Sequence, residues 1–359
     1  MGSKISRLEP RFPTISKRTG IAVERLQSIS HGSSPNLGEL LALGKYLRIP
    51  VDAIGEFDDG TGLADMRLRS SSHPDMFYSA EMRVRLITDF ILKEAGSDQR
   101  NIQIEMKATT ESLRSIDDTS LVVRSLFHLD QEIGPIKSIS TAISDSGLAH
   151  VIKLRGLGVD GACVSIEGLN FIFVSAQYVP RMRFTVAHEL AHVIFGHCRN
   201  RPIIDEDIFE YESDMADDEK LSNTFASCLL MPALGVARFI SRFKELFDQK
   251  SDSISSIEIA YIARFFGSSF EAAGNRLEQI QVIDRGVTAG ILAEVRRNFE
   301  SAEAYMRSLP VKENYDEIPV LSSGLKRFVK SKIEDGQYSV SRVANIFGYT
   351  VNEVYEFIR

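Results

Sequence analysis

Short stretches of helical period separated by turn residues open the chain. Apolar positions three and four apart run from Phe12 to Arg18, stopped at Thr19-Gly20, and from Ala22 to Ser30, stopped at Gly32. Asn36 can cap a third helix through Leu40, Leu41, Leu43 and Leu47, ending before Pro50. The period then lapses. From Glu56 to Asp75 the residues are rich in Asp, Gly, Ser and Pro, and a linker is expected at 58–75. Helical spacing resumes over Ser79 to Ala95, with Val84, Ile87, Phe90 and Ile91 on one side, and returns around Ser120 to Leu129 and Ile136 to Ser146.

Three short β-branched or aromatic runs then break the helical texture: Val151 to Leu154, Ala162 to Ile166 and Leu169 to Val174, the last two joined by a hairpin at Glu167-Gly168. A helix from Met182 to His197 follows them. From Glu219 the pattern is helical to Arg359, with one weak repeat: Ile262 to Ser269, Val343 to Thr350 and Ile15 to Ala22 each place a small residue four before a Gly. The expected fold is α+β and predominantly α: a helix-turn-helix domain at 1–57, the linker, a domain with a small sheet at 76–240, a helix-turn-helix-like domain at 241–282, and a helical C-terminal domain at 283–359.

Composition narrows the class. With 43% hydrophobic and 25% charged residues, the 359-residue chain can form packed cores. No apolar run approaches the roughly 20 residues of a membrane span, and Met1 to Pro10 lacks a secretory pattern, so no membrane partner is expected. Cys163, Cys198 and Cys228 offer no disulfide framework, which fits the cytoplasm. The net charge of −7 is unevenly spread. Residues 1–55 carry Lys4, Arg7, Arg11, Lys17, Arg18, Arg25, Lys45 and Arg48 against Glu9, Glu24, Glu39 and Asp52, the asymmetry of a nucleic-acid-binding module.

The sharpest chemistry lies in His188-Glu189-Leu190-Ala191-His192. Residues four apart on a helix differ by about 40° around the axis, so both imidazoles address one point. Zinc accepts two such nitrogens and, in a catalytic site, a third protein ligand. Glu189, about 100° away, is poorly placed to ligate but well placed to take a proton from water attacking a carbonyl. His197 lies about 180° from His188 and is expected to cap or pack the helix end. A carboxylate of the next helix is the better third ligand: Glu219, sharing a face with Asn223, Ala226 and Leu230, with Asp214, Asp217 and Asp218 as competitors.

Together, Arg183-Phe184-Thr185-Val186-Ala187-His188-Glu189-Leu190-Ala191-His192, Glu219-Lys220-Leu221-Ser222-Asn223-Thr224-Phe225-Ala226 and Leu229-Leu230-Met231-Pro232 resemble the ImmA/IrrE family of metallo-endopeptidases over roughly residues 130–280. The resemblance implies a zincin-like domain at 76–240, with His188, His192 and Glu219 as zinc ligands and Glu189 as the catalytic acid/base. Ser222 stands where the family usually has Ala, and Ile257 to Leu277 resembles a helical domain that commonly follows the peptidase core. Its members typically cut a helix-turn-helix repressor in stress or mobile-element gene control, and a repressor of that kind is the implied substrate.

Residues 10–55 resemble the lambda-repressor-like, or XRE, helix-turn-helix domain through Thr19-Gly20-Ile21, Leu26, Ile29, His31-Gly32 and Pro35 to Leu41. That resemblance makes Ala22 to Ser30 the recognition helix. Gln27 and Ser28, with Val23 and Glu24, would face the major groove, and Lys17, Arg18 and Arg25 would meet phosphates. The leading reading is a zinc-dependent regulatory endopeptidase acting on a protein substrate, with DNA as a second partner and a homodimer as one role for the C-terminal helices. Its alternative is a DNA-binding regulator whose zincin domain is a sensor or scaffold without turnover.

Overall fold

The computed structural model describes residues 12–47, 74–93, 100–107, 112–129, 132–198, 203–205, 217–248, 253–310 and 312–359. The linker expected at 58–75 lies outside these apart from its last two residues, and Asp214 lies outside them. At the N-terminus α1 (Phe12–Thr19), α2 (Val23–Ser30) and α3 (Leu37–Leu47) close a small core of Phe12, Ile15, Leu26, Ile29, Leu43 and Leu47, which Met82 joins from α4 (Pro74–Leu92). Asn36 caps α3 as its position predicts. Its Oδ1 accepts the Glu39 N–H at 2.9 Å, and the Glu39 carboxylate accepts the Asn36 N–H at 2.8 Å.

The rest of the chain is arranged about one sheet. After α5 (Leu113–Ser125) and α6 (Ile139–Asp145) come β1 (His150–Leu154), β2 (Gly161–Ile166) and β3 (Leu169–Ser175). Next are α7 (Val179–Ile194), the short β4 (Ile203–Asp205), α8 (Asp217–Leu230) and α9 (Ala233–Leu246). Then follow α10 (Ser256–Phe266), α11 (Phe270–Gln279), α12 (Val287–Phe299), α13 (Ala302–Ser308), α14 (Ser323–Glu334), α15 (Val340–Phe347) and α16 (Val351–Ile358). The architecture is α+β and mainly helical. No single helix among the described residues is long and apolar enough to cross a membrane.

The strand order is β1-β3-β2-β4, with β1 parallel to β3 and the other pairs antiparallel. The β2–β3 hairpin turns at Glu167 (φ 51°) and Gly168 (φ 81°), and a two-residue turn with both φ angles positive matches the strand twist. Both faces of the sheet are covered, which is why its strands read as unbroken apolar runs rather than alternating ones. Val151, Cys163, Ile172 and Val174 face the core beneath α7. Ile152, Leu154, Val164, Phe171 and Phe173 face a second core built with Val84 and Ile87 of α4, Phe328 and Val329 of α14, Phe347 of α15 and Val354 of α16. The C-terminal helices are therefore a layer on the back of the sheet. The approach to α14 also closes the outer edge of β1: Lys153 N–H donates to Val320 O at 2.8 Å and Ser322 N–H to Val151 O at 2.9 Å. β4 forms the opposite edge.

Two buried arginines fix the helices that matter most. Arg183 of α7 donates from Nε to Gly267 O (2.9 Å), from Nη1 to Lys137 O (2.8 Å) and from Nη2 to Ile136 O (2.5 Å), with its guanidinium 5.3 Å from the Tyr315 ring centre. Burial pulls its pKa down to about 10, so it remains charged at neutral pH. Arg124 of α5 binds the carbonyls of Glu132, Gly134 and Leu229, the last at the end of α8. Carbonyls at helix ends lack intrahelical donors, and a fully buried guanidinium satisfies several at once. Phe195 at the end of α7 meets Phe225 of α8 edge to face, ring centres 5.5 Å apart. In this way α7 and α8 are held in fixed register.

Candidate metal centre

A helix buried along its whole inner length ordinarily carries apolar residues, yet α7 buries His188, Glu189 and His192. Their surroundings explain how. His188 Nε2 and His192 Nε2 lie 3.0 Å apart, one turn from each other on the same face. Glu219, in the first turn of α8, brings Oε2 to 3.3 Å from His188 Nε2 and 3.6 Å from His192 Nε2. Burial drives the Glu219 carboxyl upward, but hydrogen bonding and charge from His188 and His192 outweigh it and hold the group well below the usual carboxylate range. The helix N-terminus favours a negative charge there as well.

These three ligand atoms lie within 4.8 Å of one another and can hold a metal ion. Tetrahedral bonds of about 2.0–2.1 Å place ligand atoms about 3.3–3.4 Å apart, and the three observed separations bracket that value. Asp217 and Asp218, the described competitors, occupy the same first turn but are exposed.

The outer nitrogens of both rings are engaged. His188 Nδ1 lies 2.9 Å from Asn223 Oδ1, and His192 Nδ1 lies 3.0 Å from His197 Nδ1. His197 Nε2 in turn faces Asp218 Oδ1 at 3.5 Å. A metal bound through Nε2 would leave the proton on Nδ1, so His188 would donate to Asn223 and His192 to His197, whose own proton would then point at Asp218. Asn223, four residues after Glu219, was visible in the sequence as its face partner. The helix expected to reach His197 ends at Ile194, so His197 lies in the turn beyond it, and the chain brings its ring back against His192, a contact helical geometry does not show.

Glu189 is fully buried between α7 and β2. Burial first, then hydrogen bonding and charge from Cys198 and Glu189, push the Cys163 thiol of β2 well above its ordinary range. The three cysteines are buried thiols, none in a disulfide.

The residues expected to meet DNA lie elsewhere. Lys17 and Arg18 are exposed in the last turn of α1, and Gln27 and Ser28 are exposed on α2. Arg25 is held against Glu39 by two hydrogen bonds of 2.8 and 2.9 Å and also donates to Ser34 O. That ties α2 to α3, leaving Arg25 less free for a phosphate than its spacing suggests.

Two buried imidazoles and a carboxylate converging from two helices make the donor set of a metallohydrolase. Residues 150–278, from β1 almost to the end of α11, match the Peptidase_M78 family model, described as the IrrE N-terminal-like domain. The match supports the ImmA/IrrE resemblance and a metallopeptidase-like domain over that stretch. No curated protein matches the chain.

Proposed function

We propose that the chain is a zinc-dependent regulatory endopeptidase. The observation that carries this reading is the convergence of His188, His192 and Glu219 beside a buried Glu189. A two-nitrogen, one-oxygen set with a tetrahedral fit favours zinc, which when bound would supply Lewis acidity toward a carbonyl and toward water. His188, His192 and Glu219 hold that charge in place. Glu189 takes a proton from the attacking water and delivers it to the amide nitrogen that leaves. An extended substrate segment can add to the sheet at β4, since the β1 edge is already taken by residues 320–322.

A helix-turn-helix repressor in stress or mobile-element control is the substrate class the family resemblance favours. Buried thiols suit action in the cytoplasm. Incubation of zinc-loaded protein with the repressor encoded beside its gene tests the reading. Cleavage by the wild type is expected, and intact repressor with both wild type and Glu189→Gln would favour the non-proteolytic sensor instead.

His197 supplies a first quantitative check. His197→Ala is expected to weaken zinc binding by about 10–100-fold, because second-sphere partners orient and polarise the ligating ring. His197→Asn, whose side-chain oxygen can still accept from His192 Nδ1, should retain most of the affinity. Competition against a chromogenic chelator measures both, and unchanged affinity in His197→Ala would dismiss the residue from the site.

The N-terminal helices add DNA as a second partner, supported by the exposure of Lys17, Arg18, Gln27 and Ser28 together. Binding is expected to weaken steeply with salt, and Lys17→Ala should reduce the slope of log K against log salt by about one. Titration of duplex DNA from the flanking intergenic region would show it, and no binding at low salt ends the proposal.

A further inference from the structure

Gly161 is the first residue of β2, paired with Val174 of β3 and Asp205 of β4, and is buried against α7. Its φ lies outside the left-handed region, so backbone freedom does not explain a glycine in this strand. Space does. A Cβ placed on residue 161 would overlap Oε1 of Glu189, stand 2.5 Å from Cγ2 of Thr185 and 3.0 Å from Cδ of Glu189. Glu189 and Thr185 are one turn apart on α7, so the helix rests its glutamate directly on the strand's backbone.

We infer that Gly161 is a positioning residue for Glu189: the bare strand backbone is the seat of the carboxylate, and any side chain there would push it away from its working position. This rests on the reading of Glu189 as the proton carrier. The seat also follows from location. Gly161 belongs to the strand that pairs with β4, so one stretch of backbone both walls the carboxylate and anchors the sheet edge proposed to receive substrate. A carboxylate that must move a proton to a leaving nitrogen needs its distance set within a fraction of an ångström, and a displacement near 1 Å costs about 100-fold in rate. The atoms a Cβ would meet are the far end of a long side chain and one methyl group, so the change moves Glu189 before it moves the fold.

The test uses the full chain, zinc-loaded, as a mutant cycle of Gly161→Ala, Glu189→Ala and the double variant. Gly161→Ala alone is expected to lower Tm by about 2–4 °C or more while keeping one equivalent of zinc. In the Glu189→Ala background the same change should cost clearly less, because the Glu189 overlap has gone and only the Thr185 methyl contact remains. Equal losses in both backgrounds would overturn the inference. This readout needs no turnover, so it stands apart from the proteolytic reading.

A proteome-derived peptide library read by mass spectrometry supplies the functional half. Gly161→Ala should cut the same sequences about 100-fold more slowly with KM little changed, and combining it with Glu189→Gln should slow cleavage no further than Glu189→Gln alone. Wild-type rates in Gly161→Ala, or additive losses, would overturn it. A wild type that cuts nothing in the library counts against the proteolytic reading, and the Tm cycle still decides the seat. If Gly161→Ala fails to fold, Gly161→Ala/Thr185→Ser removes the methyl contact, leaves the Glu189 overlap, and is read by the same cycle.

Discussion

Glu189→Gln is expected to retain a full equivalent of zinc and a near-native melting curve while losing turnover by about 10²–10⁴-fold. The argument is one of role rather than presence. Gln keeps the length and shape of the side chain, so the space beside Gly161 remains filled and His188, His192 and Glu219 on α7 and α8 are untouched. Only the ability to accept a proton at neutral pH disappears. Because Gln is close to isosteric with the fully buried Glu189, stability should change little. Metal analysis alongside a cleavage time course separates the outcomes. Lost zinc would make Glu189 a ligand or structural prop, and undiminished turnover would remove it from the chemistry.

Stripping the metal should produce the second large effect. His188, Glu219 and His192 place two nitrogens and a carboxylate oxygen within 3.0–3.6 Å of each other. At free zinc about a thousand times Kd, binding stabilises the native state by about 4 kcal/mol, which a chelator should abolish and added zinc restore. Glu219→Ala is expected to mimic the chelator, since it removes one of the three donors. Protons compete with the metal for the ring nitrogens. Ligation needs neutral imidazole, so the stabilisation is expected to fade as pH falls and protons take the ring nitrogens. Thermal melts with and without chelator, at neutral and at acid pH, measure the effect. Identical melts with one equivalent of zinc removed would show that the triad does not hold it.

Most of the metal centre was legible because its signal is local. Four-residue spacing on α7 fixes His188 and His192 to one face, and the acid on the buried stripe of α8 stands out against neighbours such as Ala226 and Leu230. The strands were legible for a related reason: burial on both faces leaves runs like Phe171-Ile172-Phe173-Val174 uninterrupted. Other features depend on contacts distant in sequence. β4 is three residues long, too short for any period to register. Helix α5 begins at Leu113, seven residues before its expected start, because Ser112 caps it by accepting the Ser115 N–H, while the apolar stripe thickens only later. His197, Arg183 and Arg124 look like ordinary polar residues until the carbonyls and rings they meet are brought together. The weak Gly-centred repeat marked real turns, with Gly20, Gly267 and Gly348 all at positive φ between consecutive helices, although spacing alone could not say what those helix pairs cover.

The helices that cover the back of the sheet change what the family match delimits. Residues 150–278 contain all the residues assigned to metal and proton transfer, yet one side of their sheet is walled by α4 and by α14 to α16, and one of its edges is sealed by residues 320–322. Chemistry and folding thus have different borders in this chain. The matched stretch borrows part of its hydrophobic interior from sequence on either side of it, and a signal that loosened the C-terminal helices would reach β2, and with it Glu189, through the thickness of a single sheet.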